Sequence, residues 1–340
     1  MTLDRFAPQL GQVRRRIREV LRLPGALTDV GDHLARAPGK LLRPALLLSA
    51  EVVGAIDRRV IEAAVAMELV HVASLVHDDL VDQADERRGL PSVRAAWGDG
   101  VTVLTGDYLL ALACRLLARL GSAALVTEAA TAMMAMSQAE LGYQYRLHDL
   151  TVTAEQYLRY VRGKTASLME ASCRIGAMLA DDRGRAADCL GRFGSSLGIA
   201  YQLVDDLADL TGLCDGKPAW SDLLSGTLTL PLICLATHQG WRDRLERILA
   251  ERTLCAATRE EIEHALRQNG CLQGTKRLAL EHLGQAVNAL HALPASPARR
   301  GLSAIVSWTD ARLSRVVPDA SPTEERTPPV KDLAPDATVP

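Results

Sequence analysis

Apolar residues recur every three to four positions along almost the whole chain, the period of a helix that buries one face. The runs VIEAAVAMELVHVASLV (60–76), VTVLTGDYLLALACRLLARL (101–120) and LGRFGSSLGIAYQLVDDLADL (190–210) carry the pattern most clearly. Alternating, strand-like runs are almost absent. Gly, Pro and Asp break the pattern at 24–29, 37–40, 87–92, 211–220 and 292–300, with the side-chain chemistry that stops helices. No repeat of solenoid period occurs. The pattern predicts an all-α fold, a single large helical bundle over residues 1–317 with about ten or more helices. From Pro318 to Pro340 the chain holds six of its fifteen prolines and little that packs; this tail is expected to be disordered.

With 340 residues, 48 % of them hydrophobic, the chain is able to bury a sizeable core. A net charge of −2 argues against general nucleic-acid binding, which wants a basic face. Seven cysteines without a CxxC pair read as reduced thiols of a cytoplasmic protein. The N-terminus lacks the apolar segment of a signal peptide, and no uncharged apolar stretch of about 18 residues suggests a transmembrane helix. Only five of the 39 basic residues are lysines, Lys40, Lys164, Lys217, Lys276 and Lys331, and three of these follow a glycine.

Candidate chemistry concentrates at HDDLVDQADERRG (77–89). On a helix Asp78 and Asp82 share a face, while Asp79 points about 100° away. A second cluster of the same form, Asp205, Asp206 and Asp209 in DDLAD, also closes an apolar run. One acidic cluster on a helix is usually a solvated face; two matching DDxxD groups at the ends of long apolar segments ask for another account. Carboxylates at i and i+4 suit Mg²⁺, a hard cation that shares its shell with substrate phosphates. Arg87 and Arg88 follow the first cluster and Lys40 and Arg43 precede it, supplying cations that match phosphate oxygens. Gly-Lys-Thr at 163–165 is not a phosphate-binding P-loop, because Leu158 stands where that motif needs its first glycine. The arrangement predicts a Mg²⁺-bound diphosphate held between two helices.

GKLLRP (39–44), ELVHVASLVHDDLVDQADERRG (68–89), LTGDYLLALA (104–113), GKTASL (163–168), GIAYQLVDDLADLTG (198–212) and TLTLPLICLAT (227–237) occur in that order. Together they resemble the trans-prenyltransferases of the polyprenyl diphosphate synthase family, from about Gly39 to about Arg315. The resemblance implies an isoprenoid-synthase bundle around a central cavity, and a homodimer. It implies condensation of isopentenyl diphosphate with an allylic diphosphate (dimethylallyl, geranyl or farnesyl) and about three Mg²⁺ per site. Carried onto this sequence, Asp78 and Asp82 bind two of the ions, and Asp205, with Asp209 in the same motif, serves the third. Arg87, Lys164, Thr165, Gln202 and Lys217 hold the allylic diphosphate. Lys40, Arg43, His71 and Arg88 hold isopentenyl diphosphate. Two departures stand out: Trp220 where relatives have Gly, and Thr227 where a second lysine often sits. They leave open whether the loop after the second cluster clamps a diphosphate.

If residues 60–82 form one helix, Ala73 and Ser74 lie a turn before Asp78, with Val70 and Met67 further along. Aromatics at the first two positions mark short products in the family. Small residues there leave a tunnel open, so the product is expected to be geranylgeranyl diphosphate or longer, and Ala73→Phe is expected to shorten it. Two other readings stay open on the sequence: a class I terpene cyclase acting on a prenyl diphosphate, and a partner subunit of a heteromeric synthase. Cyclases usually pair one acidic motif with an NSE-type motif and line the pocket with aromatics; here both motifs are DDxxD and aromatics make up 4 %.

Overall fold

The computed structural model describes residues 4–36, 39–180, 184–213, 219–251 and 253–318; Lys217 and the Pro-rich tail from 319 lie outside the described residues. The chain opens with α1 (Ala7–Val20), α2 (Thr28–Arg36) and α3 (Leu42–Leu47), followed by the long α4 (Arg58–Val81). A hairpin of β1 (Glu86–Arg87) and β2 (Leu90–Pro91) leads into α5 (Val93–Trp97), α6 (Asp99–Ala118) and α7 (Ala123–Gln144). Next come α8 (Ala154–Val161), a π-helical turn (Arg162–Ala166), α9 (Ser167–Leu179) and α10 (Arg185–Thr211). The C-terminal part holds α11 (Ser221–Ser225), α12 (Leu230–Ala236), α13 (Trp241–Glu251), α14 (Ala256–Gln268), α15 (Cys271–His291) and α16 (Pro297–Val316). Apart from the hairpin, the described residues contain no strand, as the helical period predicts.

The helix α4 starts where Asp57 accepts hydrogen bonds from the backbone N–H groups of Arg59 (2.8 Å) and Val60 (3.1 Å), a side-chain cap on the free helix end. Its middle is apolar all round, and Val60 through Val70, save Glu62, are buried. Such a helix belongs in the centre of a bundle, and α4 packs against α1, α3, α6 and α9. By length and composition α4 and α6 each have an apolar window long enough to cross a membrane. In α4, 67 % of that window is buried inside the bundle, and in α6, 44 %.

Apolar burial falls into two clusters joined by helices that contribute to both. Leu190, Phe193, Leu197 and Ala200 of α10 join the first cluster, whereas Ile199, Leu203, Val204 and Leu207 join the second. Likewise α15 gives Leu283, Ala286 and Leu290 to one and Leu272 and Ala279 to the other. These two helices pack on each other and tie α11–α14 to the rest.

Close backbone approach sets the position of the π-helical turn. A Cβ at Gly198 of α10 would lie 2.6 Å from Ala166 Cα, and one at Gly163 would lie 2.6 Å from Ala139 Cβ on α7. Only glycine lets the turn seat against both helices. Gly198→Ala is therefore expected to lower unfolding free energy by ~1–3 kcal/mol, the cost of forcing atoms into a filled core. Urea unfolding checks this; an unchanged midpoint would show that the turn yields freely.

Candidate functional site

Both acidic clusters sit at the C-terminal ends of long helices. The last turn of α4 closes with Gln83 in the left-handed region (φ 55°), Gln83 N–H on Leu80 O (3.3 Å) and Ala84 N–H on Asp79 O (2.9 Å). This pair of bonds is the usual way to end a helix on a left-handed residue. It leaves Asp78 and Asp82 at the negative end of the helix dipole, a poor place for anions unless cations answer them. The same holds at α10, which stops at Gly212 (φ 71°) just after Asp205, Asp206 and Asp209. Asp78, Asp82 and Asp205 line one cavity of about 1340 Å³, so the two clusters open on a common space as the sequence predicts.

Within each cluster the middle aspartate is buried. Asp79 accepts from Arg87 Nε at 2.7 Å and from Arg87 Nη2; its side chain keeps 3 % exposure, against 23 % for Arg87. Asp206, 1 % exposed, accepts from Gln202 Nε2 (3.0 Å) and from the Tyr157 hydroxyl. Burial pushes the Asp206 carboxyl well up, reinforced by Asp222 and opposed by those two hydrogen bonds. Gln202 in turn accepts from Thr165 Oγ1 (2.8 Å), so Thr165, Gln202, Asp206 and Tyr157 form one chain across the cavity wall.

Asp209, expected as a metal ligand, has both oxygens engaged elsewhere. It accepts from Ser221 N (3.1 Å), Ser221 Oγ (2.9 Å) and Asp222 N (3.4 Å), fixing the start of α11. Burial and Asp222 push its carboxyl up to about 6, against the pull of those bonds. Trp220, just before α11, is left-handed (φ 67°) and 2 % exposed. This explains the glycine usual there: the backbone needs the left-handed region, which costs an L-residue about 1–2 kcal/mol. Here burial of the indole offsets that cost.

Cations face the first cluster from the π-helical turn. Such turns insert one residue into a helix and re-aim side chains, often at functional sites. Lys164 Nζ lies 2.6 Å from Glu140 Oε2 of α7 and 3.7 Å from Asp78 Oδ2, with the Tyr160 ring 5.6 Å away. Burial opposes the ammonium charge, but Tyr160, Asp78 and Glu140 outweigh it and hold its pKa well above the lysine range. Burial raises the Asp78 carboxyl; Lys164 draws it down, while Glu140 and Asp82 push it up. On the opposite wall Arg312 of α16 pairs with Asp205 and lies over the Tyr201 ring (5.8 Å).

A second basic group gathers around Glu68. Arg88 and Gly89, both left-handed (φ 56° and 76°), form the two-residue turn of the hairpin, the conformation that suits the strand twist. Arg43 Nη1 donates to His71 Nε2 at 3.3 Å. Burial first, then Arg43, Arg88 and Arg87, hold His71 well below its ordinary pKa, so the ring is neutral and accepts. Glu68 is buried between Arg43 and Arg88; burial raises its carboxyl and the two guanidinium groups pull it down. Lys40 lies 5.5 Å over the Trp308 ring at the same mouth.

Of the residues expected to set a tunnel, Ser74 and Val70 line the cavity with Leu75, Leu110, Met133 and Met136. Ala73 and Met67 are fully enclosed, at 0 % exposure, and present no surface to it. The register of α4 turns them into the core, so two of the four residues expected at the tunnel, Ser74 and Val70, face the cavity. Glu140, Tyr157, Tyr160 and Arg312 were not foreseen. Arg312 lies 107 residues from its partner, beyond any spacing rule, and the tyrosines looked like ordinary core. Glu68 had a signal: it is one of two acids inside the apolar run 60–76.

Comparison with known proteins agrees with this geometry. The sequence profile described as polyprenyl synthetase matches residues 24–268. The chain is 34 % identical over 278 residues to heptaprenyl diphosphate synthase component 2 of Geobacillus stearothermophilus, covering 81 % of this chain and 86 % of that one. It is 35 % identical over 300 residues to nonaprenyl diphosphate synthase of Mycobacterium tuberculosis, covering 86 % and 89 %. Among solved structures, a polyprenyl synthase from Caulobacter crescentus complexed with calcium and isoprenyl diphosphate superposes with a TM-score of 0.85 at 30 % identity, covering 93 % of this chain and 98 % of that one.

The division of labour within the first cluster is open to measurement. Asp79→Ala strands Arg87 and is expected to cost toward the lower end of ~3–5 kcal/mol, since Arg87 keeps some water. Asp82→Ala, at the exposed helix end, is expected to stay within ~0.5 kcal/mol. Chemical denaturation compares them; equal losses would mean that Asp79 has no special structural role.

Proposed function

The chain belongs to the polyprenyl synthetase family, and from that membership we propose how its cavity builds a prenyl chain. It condenses isopentenyl diphosphate with an allylic diphosphate, head to tail, giving an all-trans polyprenyl diphosphate. One observation carries the assignment of roles: two helix C-termini rich in aspartate open on one cavity whose rim bears Lys40, Arg43, Arg87, Arg88 and Lys164.

The donor set fits Mg²⁺. Asp78 is half-buried and crowded by Glu140 and Asp82, and oxygen-only donors of this kind suit a small hard ion. Asp78 and Asp82 on one side and Asp205 on the other would hold the ions, with Asp209 fixing α11 beside them. Bound there, magnesium supplies the Lewis acidity that stabilises negative charge on departing pyrophosphate. Arg87, Lys164, Thr165 and Gln202 bind the allylic diphosphate; Lys217, expected with them, lies outside the described residues. Lys164 keeps its proton, so it acts as a fixed cation and not as a base. The Arg43–His71–Arg88 group with Lys40 orients isopentenyl diphosphate so that its double bond faces the allylic carbon.

Ionisation leaves an allylic cation above Leu75, Leu110, Met133 and Met136, an apolar wall that keeps water from capturing it. The isopentenyl double bond attacks, and the proton lost from the new tertiary cation passes to pyrophosphate. No protein nucleophile takes part.

The product is proposed to exceed C20, in keeping with relatives named for seven and nine prenyl units. The growing chain would pass Ser74 and Val70 toward Met133 and Met136. A homodimer is proposed as the working form, supported by Leu104, Met134 and Leu141, large apolar side chains left exposed on α6 and α7. One relative is named a component 2, so the purified single chain is the informative sample.

With that sample, farnesyl and isopentenyl diphosphates and Mg²⁺ should give elongated product, and chelation should abolish it. Asp78→Asn and Asp205→Asn should each lower turnover by ~10²-fold or more; near-normal rates in either would remove the metal role proposed here. Ser74→Phe should shorten the main product while turnover continues. An unchanged length distribution on chromatography would displace the tunnel from that face of α4.

A further inference from the structure

Away from the cavity, three soft ligand atoms converge where α12 ends and α15 begins. Cys234 lies in the last turn of α12 and His238 two residues beyond its end, and their side chains come together there. Cys271, the first residue of α15, faces them from across the interface. The two sulfurs and an imidazole nitrogen all lie within 4.8 Å of one another. Two sulfurs on one tetrahedral zinc ion stand about 3.8 Å apart, given bonds of about 2.3 Å, so small side-chain adjustments close the set.

We propose that Cys234, His238 and Cys271 form a zinc-binding site of the Cys₂His type, with its fourth position open to water. Three features support it. The donors are thiolate and imidazole, the set that selects zinc over magnesium or calcium. Cys271 is fully buried, whereas Cys234 and His238 are half-buried, so the ion would sit at the edge of the core with one side toward solvent. Cys271 belongs to the second apolar cluster, and Cys234 packs against it. Two thiolates neutralise one Zn²⁺, which limits the cost of placing the ion there.

The Cys271 S–H donates weakly to Asn269 O at 3.9 Å. Zinc would displace the thiol protons to solvent as its bonds to sulfur form. Both cysteines are free thiols, so no disulfide has to break.

Such a site would clip residue 238 to residue 271 and close the segment that carries α13 and α14. The helix α12 starts right after Thr229, which lines the diphosphate cavity. The clip would thus brace the far end of a helix whose near end borders the reaction space. Its role is structural, and its failure would leave the prenyl-transfer assignment untouched.

The test uses the full-length protein, reduced, stripped with a chelator and reloaded with Zn²⁺ or Co²⁺ alone. About one zinc per chain should survive dialysis, cobalt should give the near-ultraviolet thiolate-to-metal charge-transfer band, and zinc should raise Tm. Cys234→Ser should lose the band and the retained metal while prenyl elongation in Mg²⁺ is unchanged. Should that variant misfold, His238→Ala at the half-buried position decides, with an expected loss of zinc affinity of at least about tenfold. Zinc content no higher than in the variants, or unchanged affinity in His238→Ala, overturns the proposal. So does a Cys234–Cys271 disulfide in the isolated protein, seen as a mass deficit before reduction, with no metal uptake afterwards.

Discussion

Carboxylates at the C-terminal ends of two helices are anions placed where the helix dipoles are already negative. In this protein the conflict is doubled, because both ends open on one half-enclosed cavity. Part of the repulsion is answered from within the chain: Arg87 on Asp79, Lys164 beside Asp78 and Glu140, Arg312 on Asp205. The answer is incomplete by design, since Asp78 remains a carboxylate pushed up by burial and by its acidic neighbours. On the function proposed above, a divalent cation carrying a diphosphate would supply what is missing and bring the substrate with it, so that binding and charge compensation would be one event.

Backbone geometry supports that balance more than the side-chain inventory suggests. The π-helical turn carries Lys164 and Thr165 inward, and it seats only because Gly163 and Gly198 let α7 and α10 approach. The hairpin presents Arg87 from a strand and Arg88 from a left-handed turn position. Left-handed Trp220 starts α11, which Asp209 then holds. Each of these is a local strain or close contact that fixes a charged group, so on the proposed function the cations would meet the diphosphate already in place and little reorganisation energy would be needed.

Much of the fold could be read from the period of apolar positions, and the acidic pairs from their i, i+4 spacing. Those are local properties, and α4 and α10 follow them. What escaped the sequence was set by tertiary packing. Ala73 and Ser74 differ by one residue and by 100° around α4, enough to put one in the core and the other on the cavity. Asp209 has the spacing of a ligand, but Ser221 and Asp222 reach its oxygens from a loop. Arg312 arrives from the last helix, and the Cys234–His238–Cys271 group joins residues that no local motif connects. Long-range partners of this kind become visible only once helices are packed.

The most direct test of the central claim is a crystal structure with Mg²⁺ and farnesyl thiodiphosphate, an analogue that ionises slowly. Ions bridging the diphosphate to Asp78 and Asp82 on one side and to Asp205 on the other, with the prenyl tail running past Ser74, are the predicted result. A diphosphate bound away from both clusters, or ions at one cluster with the other still paired only to Arg312, would contradict it.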